Sequence, residues 1–538
     1  MPSYRTHITV LEQIASQHPT RPAFRVPQYD AQGQQIVDWH PISYSRFFSD
    51  VDLFARYWTQ QLSSQGVLPG SIVGVWLGGI TYVDVLHIYA MVRAGFIPQL
   101  FSLRLPNPDV IFELLAKSSG KALIFDSSFG TVVSQSIPTY MATDVRCEQD
   151  VFDVSLPPIA EGTDGDATLM IFHTSGSTSG RPKLVPCSYQ WWDMCLTKGA
   201  QCTAPRNPER QDVTAWMGSM CHIGQTFMFA GHLQHAACTI QPSAVDFPSS
   251  ELMDMIARCG LNRINQFPTY LAIHLRNSRQ DPKLLAMLQG LDLIFYSGLM
   301  LSQEDEEWVH RHGIRIINCF GSTECTAMLL SDPEWKGMRA PLVPMNGTSY
   351  GFFPIASSEA EDSHQNANGR LLELVILSDS KDCPHPSLRS ADGHYHTGDL
   401  FLEVAPGHYV SRGRDDDWIK SENSLRCDTK AIEDNVRMTC ADLIEDCIVV
   451  GNGRPSPALF IETKPGLSEE KVKRDIIRRT RQFHSRRYLH ERISSTNFVI
   501  AVPPNTLPRT ATKGNIRRRA VEESFKQQLD RIYGVATH

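Results

Sequence analysis

Apolar and polar positions change period repeatedly along the chain. Residues 9–14 (TVLEQI) followed by Pro22-Ala23-Phe24 predict a helix leading into a strand. Residues 43–65 carry apolar positions at helical spacing, with Leu53, Tyr57 and Leu62 expected on one buried face. The run 72–77 (IVGVWL) is uninterrupted and of strand length, and residues 82–95 return to the helical period and close on a glycine suited to a C-terminal cap. Residues 122–126 (ALIFD) and 168–172 (TLMIF) are the next strands. Two more end on informative loops: 291–296 (LDLIFY) runs into Ser297-Gly298, and 314–318 (IRIIN) runs into Cys319-Phe320-Gly321. Short apolar runs alternating with helical-period segments predict a mostly parallel sheet covered by helices. Ligands of such sheets bind beyond the carboxyl ends of the strands, so the loops after 172, 296 and 318 are predicted to converge on one crevice.

Composition narrows the class. A chain of 538 residues exceeds one ordinary core and implies two or more domains. With 42% hydrophobic and 20% charged residues it is globular rather than disordered. No apolar run approaches the ~18–20 residues of a membrane span, and the first thirty residues lack a signal-peptide pattern. The 13 cysteines are scattered, without a Cys-x-x-Cys pair, and read as reduced thiols of a cytoplasmic protein rather than as disulfides or a zinc site. Net charge is −7, yet from Lys471 onward 16 basic residues stand against 5 acidic ones. That asymmetry marks a separate C-terminal unit, with a boundary after Arg414 dividing residues 1–414 from 415–538. The basic surface suits either a solvated helix face around Val472, Ile476 and Phe483 or an acidic or phosphorylated partner. Neither nucleic acid nor a membrane is an expected partner, since no recognition motif accompanies the charge.

The strongest chemical signal is Thr174-Ser175-Gly176-Ser177-Thr178-Ser179-Gly180-Arg181-Pro182-Lys183, directly after the 168–172 strand. Glycines permit close backbone approach, hydroxyls add donors and Lys183 adds positive charge, which together make a phosphate cradle. The glycine spacing and the Arg-Pro-Lys ending differ from a Walker loop.

This segment resembles the signature loop of the adenylate-forming superfamily, which includes acyl-CoA synthetases, luciferases and adenylation domains of nonribosomal peptide synthetases. Four further segments match in order. In Asn318-Cys319-Phe320-Gly321-Ser322-Thr323-Glu324 the resemblance implies adenine contacts from Asn318 and Phe320 and a magnesium-holding Glu324 beside Thr323. Read alone, Glu324 equally suits the N-terminus of a following helix. In Tyr395-His396-Thr397-Gly398-Asp399 the implied role of Asp399 is to bind the ribose. In the 411–420 segment Arg414 would reach the ribose and Asp416 would be the hinge of a mobile C-terminal domain; Asn423 replaces the usual glycine downstream. In the 507–514 segment Lys513 would bring its ammonium to the carboxylate and α-phosphate, although Lys513-Gly514 departs from the commoner Gly-Lys order. The implied fold is α/β: a large N-terminal domain of mixed, mostly parallel sheets with packed helices and a β-rich subdomain, plus a small mobile α+β C-terminal domain.

The implied reaction joins a carboxylic acid to AMP at the expense of MgATP and then passes the acyl group to a thiol. Residues Thr174, Ser175, Gly176, Ser177, Thr178, Gly180 and Lys183, with Ser297, Gly298 and Gly321, would hold the nucleotide. The segment 216–232 (WMGSMCHIGQTFMFAGH) contains no acidic residue, whereas amino-acid-activating relatives usually place an aspartate there, so an α-amino acid is disfavoured. By resemblance the acid pocket comprises His222, Ile223, Phe227, Asn265, Phe295, Ser297, Cys319 and Met328, a wall suited to a flat aromatic acid, with a long acyl chain as the alternative. The style of the chain is similar to adenylation domains of fungal synthetase-like enzymes, including aryl carboxylic acid reductases. The thiol would then be phosphopantetheine on a carrier domain; for a standalone ligase it would be coenzyme A. A nucleotide-binding pseudoenzyme is the non-catalytic alternative.

Overall fold

The computed structural model describes residues 3–103, 105, 107–130, 132, 136–147, 153–174, 182–298, 300–337, 339–355, 371–415, 418–420, 426–485, 487, 491–509 and 514–534. It divides into two compact units. The first comprises Met1–Thr174, Leu184–Tyr350 and Ile376–Tyr395, the second Ser175–Lys183, Gly351–Val375 and His396–His538.

The first unit holds a six-stranded sheet in the order Thr139–Met141, Ala122–Phe125, Ile72–Leu77, Ile97–Ser102, Thr168–Thr174 and Lys183–Ser188. The pairs from Thr139–Met141 to Thr168–Thr174 are all parallel. Helices supply the crossovers that parallel pairing requires. One of them, Tyr82–Arg93, starts with a reciprocal capping box between Thr81 and Asp84, and Gly95 beyond its end takes the left-handed φ of +82° that the sequence assigns to it. The helix Tyr44–Ser63 forms as expected, but its buried stripe is Phe47, Val51, Phe54, Trp58 and Leu62. Leu53 and Tyr57 lie half-buried at the margin of the core. A helix turns 100° per residue, and rotation by about one residue buries Phe54 and Trp58, which contribute more apolar area.

A second sheet of this unit runs Leu342–Pro344, Thr326–Ser331, Ile316–Ser322, Leu293–Ser297, Arg263–Gln266, Val213–Ala215, Cys238–Ile240, Pro22–Tyr29 and Ile36–Ser43. Its centre is parallel and its flanks are antiparallel. Period-two alternation separates two cores: Ile264, Ile294 and Tyr296 enter one, whereas Phe295 and Cys319 enter the other. The strand expected over 314–318 runs from Ile316 to Ser322, because Thr326–Ser331 folds back and supplies its hydrogen-bond partners.

The second unit contains neighbouring strands Tyr350–Pro354, Leu371–Ile376, Tyr395–Ala405 and His408–Arg414, and a three-stranded sheet of Ile444–Val450, Ala458–Thr463 and Val499–Val502. In that small sheet Cys447, Val449, Leu459, Ile461 and Val499 face one apolar cluster, and Ile448, Val450, Phe460 and Ile500 face another. Both faces are therefore covered. Val472, Ile476, Thr480 and His484 form the buried stripe of the helix Glu469–Ser485, with the expected Phe483 packed at its edge. The solvated-helix-face reading accounts for the arginines between them.

Candidate functional site

Three parallel strands of the first unit run side by side, and the third continues past the ends of the other two. Their register pairs Asn265 with Phe295, Gln266 with Tyr296, Tyr296 with Asn318, and Ser297 with Cys319. The chain leaves the first two through Phe267 and Gly298, while the third runs on through Phe320 and Gly321 to Ser322. Gly298 has a φ of +102°, a region that suits glycine, and a Cβ there would stand 3.6 Å from the Phe267 ring. Gly218 approaches the opposite side, where a Cβ would lie 3.2 Å from the same ring. His222 packs edge-on to Phe267 with centroids 6.5 Å apart.

Helix Ile223–Gln234 sets His222. The imidazole Nδ1 accepts the Gly224 N–H at 3.2 Å as an N-terminal cap, so this histidine has a local structural bond as well as a place beside Phe267. Gln225 draws the preceding loop onto the helix, accepting the Met217 and Gly218 N–H groups at 2.8 and 3.2 Å. Ile223, Phe227, Phe295, Cys319 and Met328 are all buried. Asn265 is buried as well. Its amide donates to Thr214 Oγ1 at 2.9 Å and to His232 Nε2 at 2.8 Å, and its Oδ1 has no hydrogen-bond partner among the described residues. Burial keeps His232 well below its ordinary pKa, in the neutral form able to accept that bond.

Asn318 donates through Nδ2 to Met300 Sδ at 3.3 Å, and Ser331 Oγ accepts its backbone N–H at 2.9 Å. Ser297 and Phe320 are half-buried, and Gly298 and Gly321 are exposed. Thr323 and Glu324 occupy the tight turn between Ile316–Ser322 and Thr326–Ser331. Glu324 therefore precedes a strand, which removes the helix-N-terminus reading. Trp191 Nε1 donates to the Glu324 carbonyl at 3.0 Å, while the half-buried carboxylate has neither hydrogen bond nor ion pair among the described residues. Such a carboxylate is free to meet a cation. No group of three His, Cys, Asp or Glu among the described residues forms a metal cage. The donor set thus fits a hard cation brought in on phosphates and completed by one carboxylate, as magnesium is commonly held.

Of the phosphate-cradle residues, Thr174 is the half-buried last residue of its strand and Lys183 the exposed first residue of the next. Ser175, Gly176, Ser177, Thr178 and Gly180 lie outside the described residues, as do Asp416, Asn423 and Lys513. One residue before Thr174, His173 is locked in place. Its Nδ1–H donates to Leu100 O at 2.9 Å, leaving Nε2 to accept from Gln99 at 3.0 Å, and its ring stacks on Phe101. Burial lowers its pKa to about 4, so it is neutral at pH 7.

In the second unit the two expected ribose ligands meet. Asp399 and Arg414 are partners across antiparallel strands, and Arg414 Nη1 donates to Asp399 Oδ1 at 3.3 Å. Gly398, with φ +69°, makes room for the guanidinium, which would stand 3.2 Å from a Cβ there.

Residues missed by sequence reading include Phe267, Gln225, Trp191 and His173. Phe267 had a visible signal, an aromatic directly before Pro268 at a strand-to-helix junction; the others resemble ordinary core residues.

Residues 11–350 match the family model described as AMP-binding enzyme, and residues 416–537 match that of the AMP-binding enzyme C-terminal domain. The chain is 35% identical over 515 residues to the AMP-binding domain-containing enzyme iboA of Amanita muscaria (strain Koide BX008), covering 94% of this chain and 98% of that protein. It is 23% identical to the adenylate-forming reductase stbB of Stachybotrys bisbyi, over 84% of this chain and 41% of that protein. Similar solved structures include o-succinylbenzoate coenzyme A synthetase from Bacillus subtilis in complex with ATP and magnesium ion, with TM-score 0.73, 16% identity and 95% and 99% of the two chains covered. Another is the anthranilate CoA ligase AuaEII in complex with anthranoyl-AMP, with TM-score 0.71, 18% identity and coverage of 97% and 98%.

Proposed function

Since the chain belongs to the AMP-binding enzyme family and is an adenylate-forming ligase that activates a carboxylic acid, we propose that its substrate is an aromatic acid and that its acceptor is a phosphopantetheine thiol on a carrier domain. The observation that carries the substrate reading is the apolar, aromatic setting at the strand ends: Phe267 between Gly218, His222 and Gly298, with no acidic residue from Trp216 to His232. An ammonium placed there would lack a carboxylate partner. The anthranilate ligase and the o-succinylbenzoate synthetase, both similar in fold, act on aromatic acids by name.

In the first step a carboxylate oxygen of the acid attacks the α-phosphorus of ATP. The new C–O–P bond forms as the bond to the β-phosphate oxygen breaks, giving acyl-adenylate and pyrophosphate. Residues 174–183 bind the departing phosphates, and Asn318 and Phe320 hold the adenine. Asp399 and Arg414 hold the ribose hydroxyls. Lys513 places its ammonium where negative charge builds up at the reacting centre. A magnesium ion, held by Glu324 and the phosphates, would neutralise charge on the triphosphate. In the second step a thiol sulfur attacks the acyl carbon and AMP leaves with the electron pair of the acyl C–O bond. Domain 415–538, pivoting at Asp416, withdraws Lys513 between the steps.

Coenzyme A is the second acceptor reading, favoured by the named activities of the similar solved structures. ATP–pyrophosphate exchange across aryl, keto, fatty and α-amino acids tests the substrate: exchange confined to aryl acids is expected, and exchange confined to α-amino acids would reject it. Parallel loading of a holo-carrier protein and coenzyme A then decides the acceptor. No exchange with any acid would favour a pseudoenzyme.

A further inference from the structure

One face of a single helix holds the turn that carries Glu324. In Tyr189–Thr203, Trp191 and Lys198 are seven residues apart, two turns along the same face. They donate to consecutive carbonyls of the turn: Trp191 Nε1 to Glu324 O at 3.0 Å, and Lys198 Nζ to Cys325 O. The Lys198 side chain is 0% exposed. An ammonium so deeply buried is a costly way to satisfy one carbonyl, and it needs a counter-ion. Asp382 provides it, at 2.6 Å and 1% exposed. The same carboxylate accepts Ser380 Oγ and Tyr350 OH, each at 2.5 Å. Burial alone would raise the pKa of Asp382, but Lys198 and the hydroxyls outweigh it and hold the carboxyl below its ordinary value. Asp382 is thus held by three donors, Lys198, Ser380 and Tyr350.

The turn it grips is strained. Thr326, a β-branched residue, has a φ of +56°, and its Oγ1 is buried without a hydrogen-bond partner among the described residues. A residue in that conformation persists only where its surroundings over-determine it, and such strain gathers at functional turns. Cys325 N–H adds a bond to Ser322 Oγ at 3.2 Å from within the hairpin. Backbone carbonyls are thus satisfied inward, toward Trp191 and Lys198, leaving the Glu324 carboxylate without a hydrogen bond or ion pair among the described residues.

We propose that Lys198 and Asp382 are positioning residues for Glu324: the buried ion pair fixes the 323–325 turn so that the carboxylate meets the metal of the bound nucleotide in one pose. This rests on the reading of Glu324 as the metal-holding residue. Partners one bond removed from a metal ligand commonly change metal affinity by about 10–100-fold when lost.

The test measures binding of the ATP analogue AMP-PNP to the full-length protein by calorimetry, with and without Mg2+, beside thermal unfolding. Variants are Glu324→Gln, Lys198→Met, and Lys198→Met/Asp382→Asn. The double variant leaves no unpaired buried charge; one hydroxyl of the Ser380–Tyr350 pair keeps an oxygen acceptor and the other can accept from the new amide NH2, so it recovers much of the unfolding midpoint that Lys198→Met loses. The expected result is that Mg2+ tightens AMP-PNP binding to the wild type, that Glu324→Gln abolishes this gain, and that both Lys198 variants reduce it about tenfold or more with metal-free affinity unchanged. If the double variant regains the Mg2+ effect along with its stability, the pair is only structural and the proposal falls. Loss of the gain in Glu324→Gln with full retention in the Lys198 variants overturns this inference alone. Retention in Glu324→Gln overturns the reading of Glu324 and the inference with it. Should Lys198→Met not fold, the double variant carries the comparison.

Discussion

Gly321 lies on the strand leading into the Glu324 turn and faces the returning strand so closely that a side chain there has no room. A Cβ would collide with the Thr326 carbonyl oxygen and stand 3.0 Å from the Thr326 carbonyl carbon and 3.2 Å from Ala327 Cα. All three obstacles are backbone, so no rotamer change relieves the contact. Gly321→Ala must instead part the hairpin by roughly half to one ångström, an overpacking strain worth about 1–3 kcal/mol. The same displacement moves Thr323 and Glu324 relative to the neighbouring strand ends. Misplacement of a reacting group by about 1 Å lowers turnover by up to about 10²-fold. ATP–pyrophosphate exchange with the preferred acid, measured beside thermal unfolding, should show a loss of rate much larger than the loss of folded protein. Gly290→Ala is the control, at a helix end where an added Cβ meets nothing within 4 Å; it should leave both readings unchanged or slightly raise the midpoint. Wild-type exchange by Gly321→Ala would refute the idea that the geometry of this hairpin governs the reaction.

Phe267→Ala removes the aromatic surface between His222 and Gly298 and should raise the KM of the acid about tenfold or more while leaving that of ATP unchanged; an equal effect on both would point to a general folding defect. Asp399→Ala should raise the KM of ATP without affecting 2′,3′-dideoxy-ATP, which lacks the hydroxyls Asp399 is proposed to bind, and equal effects on both nucleotides would reject the ribose role. Stability should fall on acidification, because burial holds His7 at about 3 and His87, His173 and His274 at about 4. These folded values lie below the ordinary 6.5, so the unfolded chain takes up protons first; stability is full above pH ~6.5 and declines toward pH ~4. Unfolding midpoints between pH 7 and 5 should therefore drop, more gently in His173→Gln, and a flat profile would contradict the burial of these rings.

Much of the fold is legible in the sequence because its signals are local and strong. The run 72–77 has no polar residue to place it elsewhere, and Gly95 marks the end of its helix through a backbone conformation few other residues adopt. Register was not legible. The strand 316–322 is longer than its apolar run because a later segment pairs with it, which no property of residues 319–322 alone announces. The buried face of Tyr44–Ser63 was displaced because several faces offered apolar residues and bulk decided among them. Motif residues such as Asp399 and Arg414 could be named from resemblance, but their pairing across two strands is visible only in the structure. Lys198 and Asp382 are 184 positions apart, and each taken singly reads as a surface charge. Only the tertiary packing reveals that they form a buried pair behind Glu324.

Adenylation bonds a carboxylate oxygen of the substrate to the α-phosphorus of ATP. Supplying the acid with both carboxylate oxygens as 18O, together with ATP, Mg2+ and the thiol, and examining the released nucleotide by mass spectrometry tests this most directly. AMP carrying one 18O atom and unlabelled pyrophosphate are expected. Unlabelled nucleotide with 18O in inorganic phosphate would instead show attack at the γ-phosphorus and contradict it.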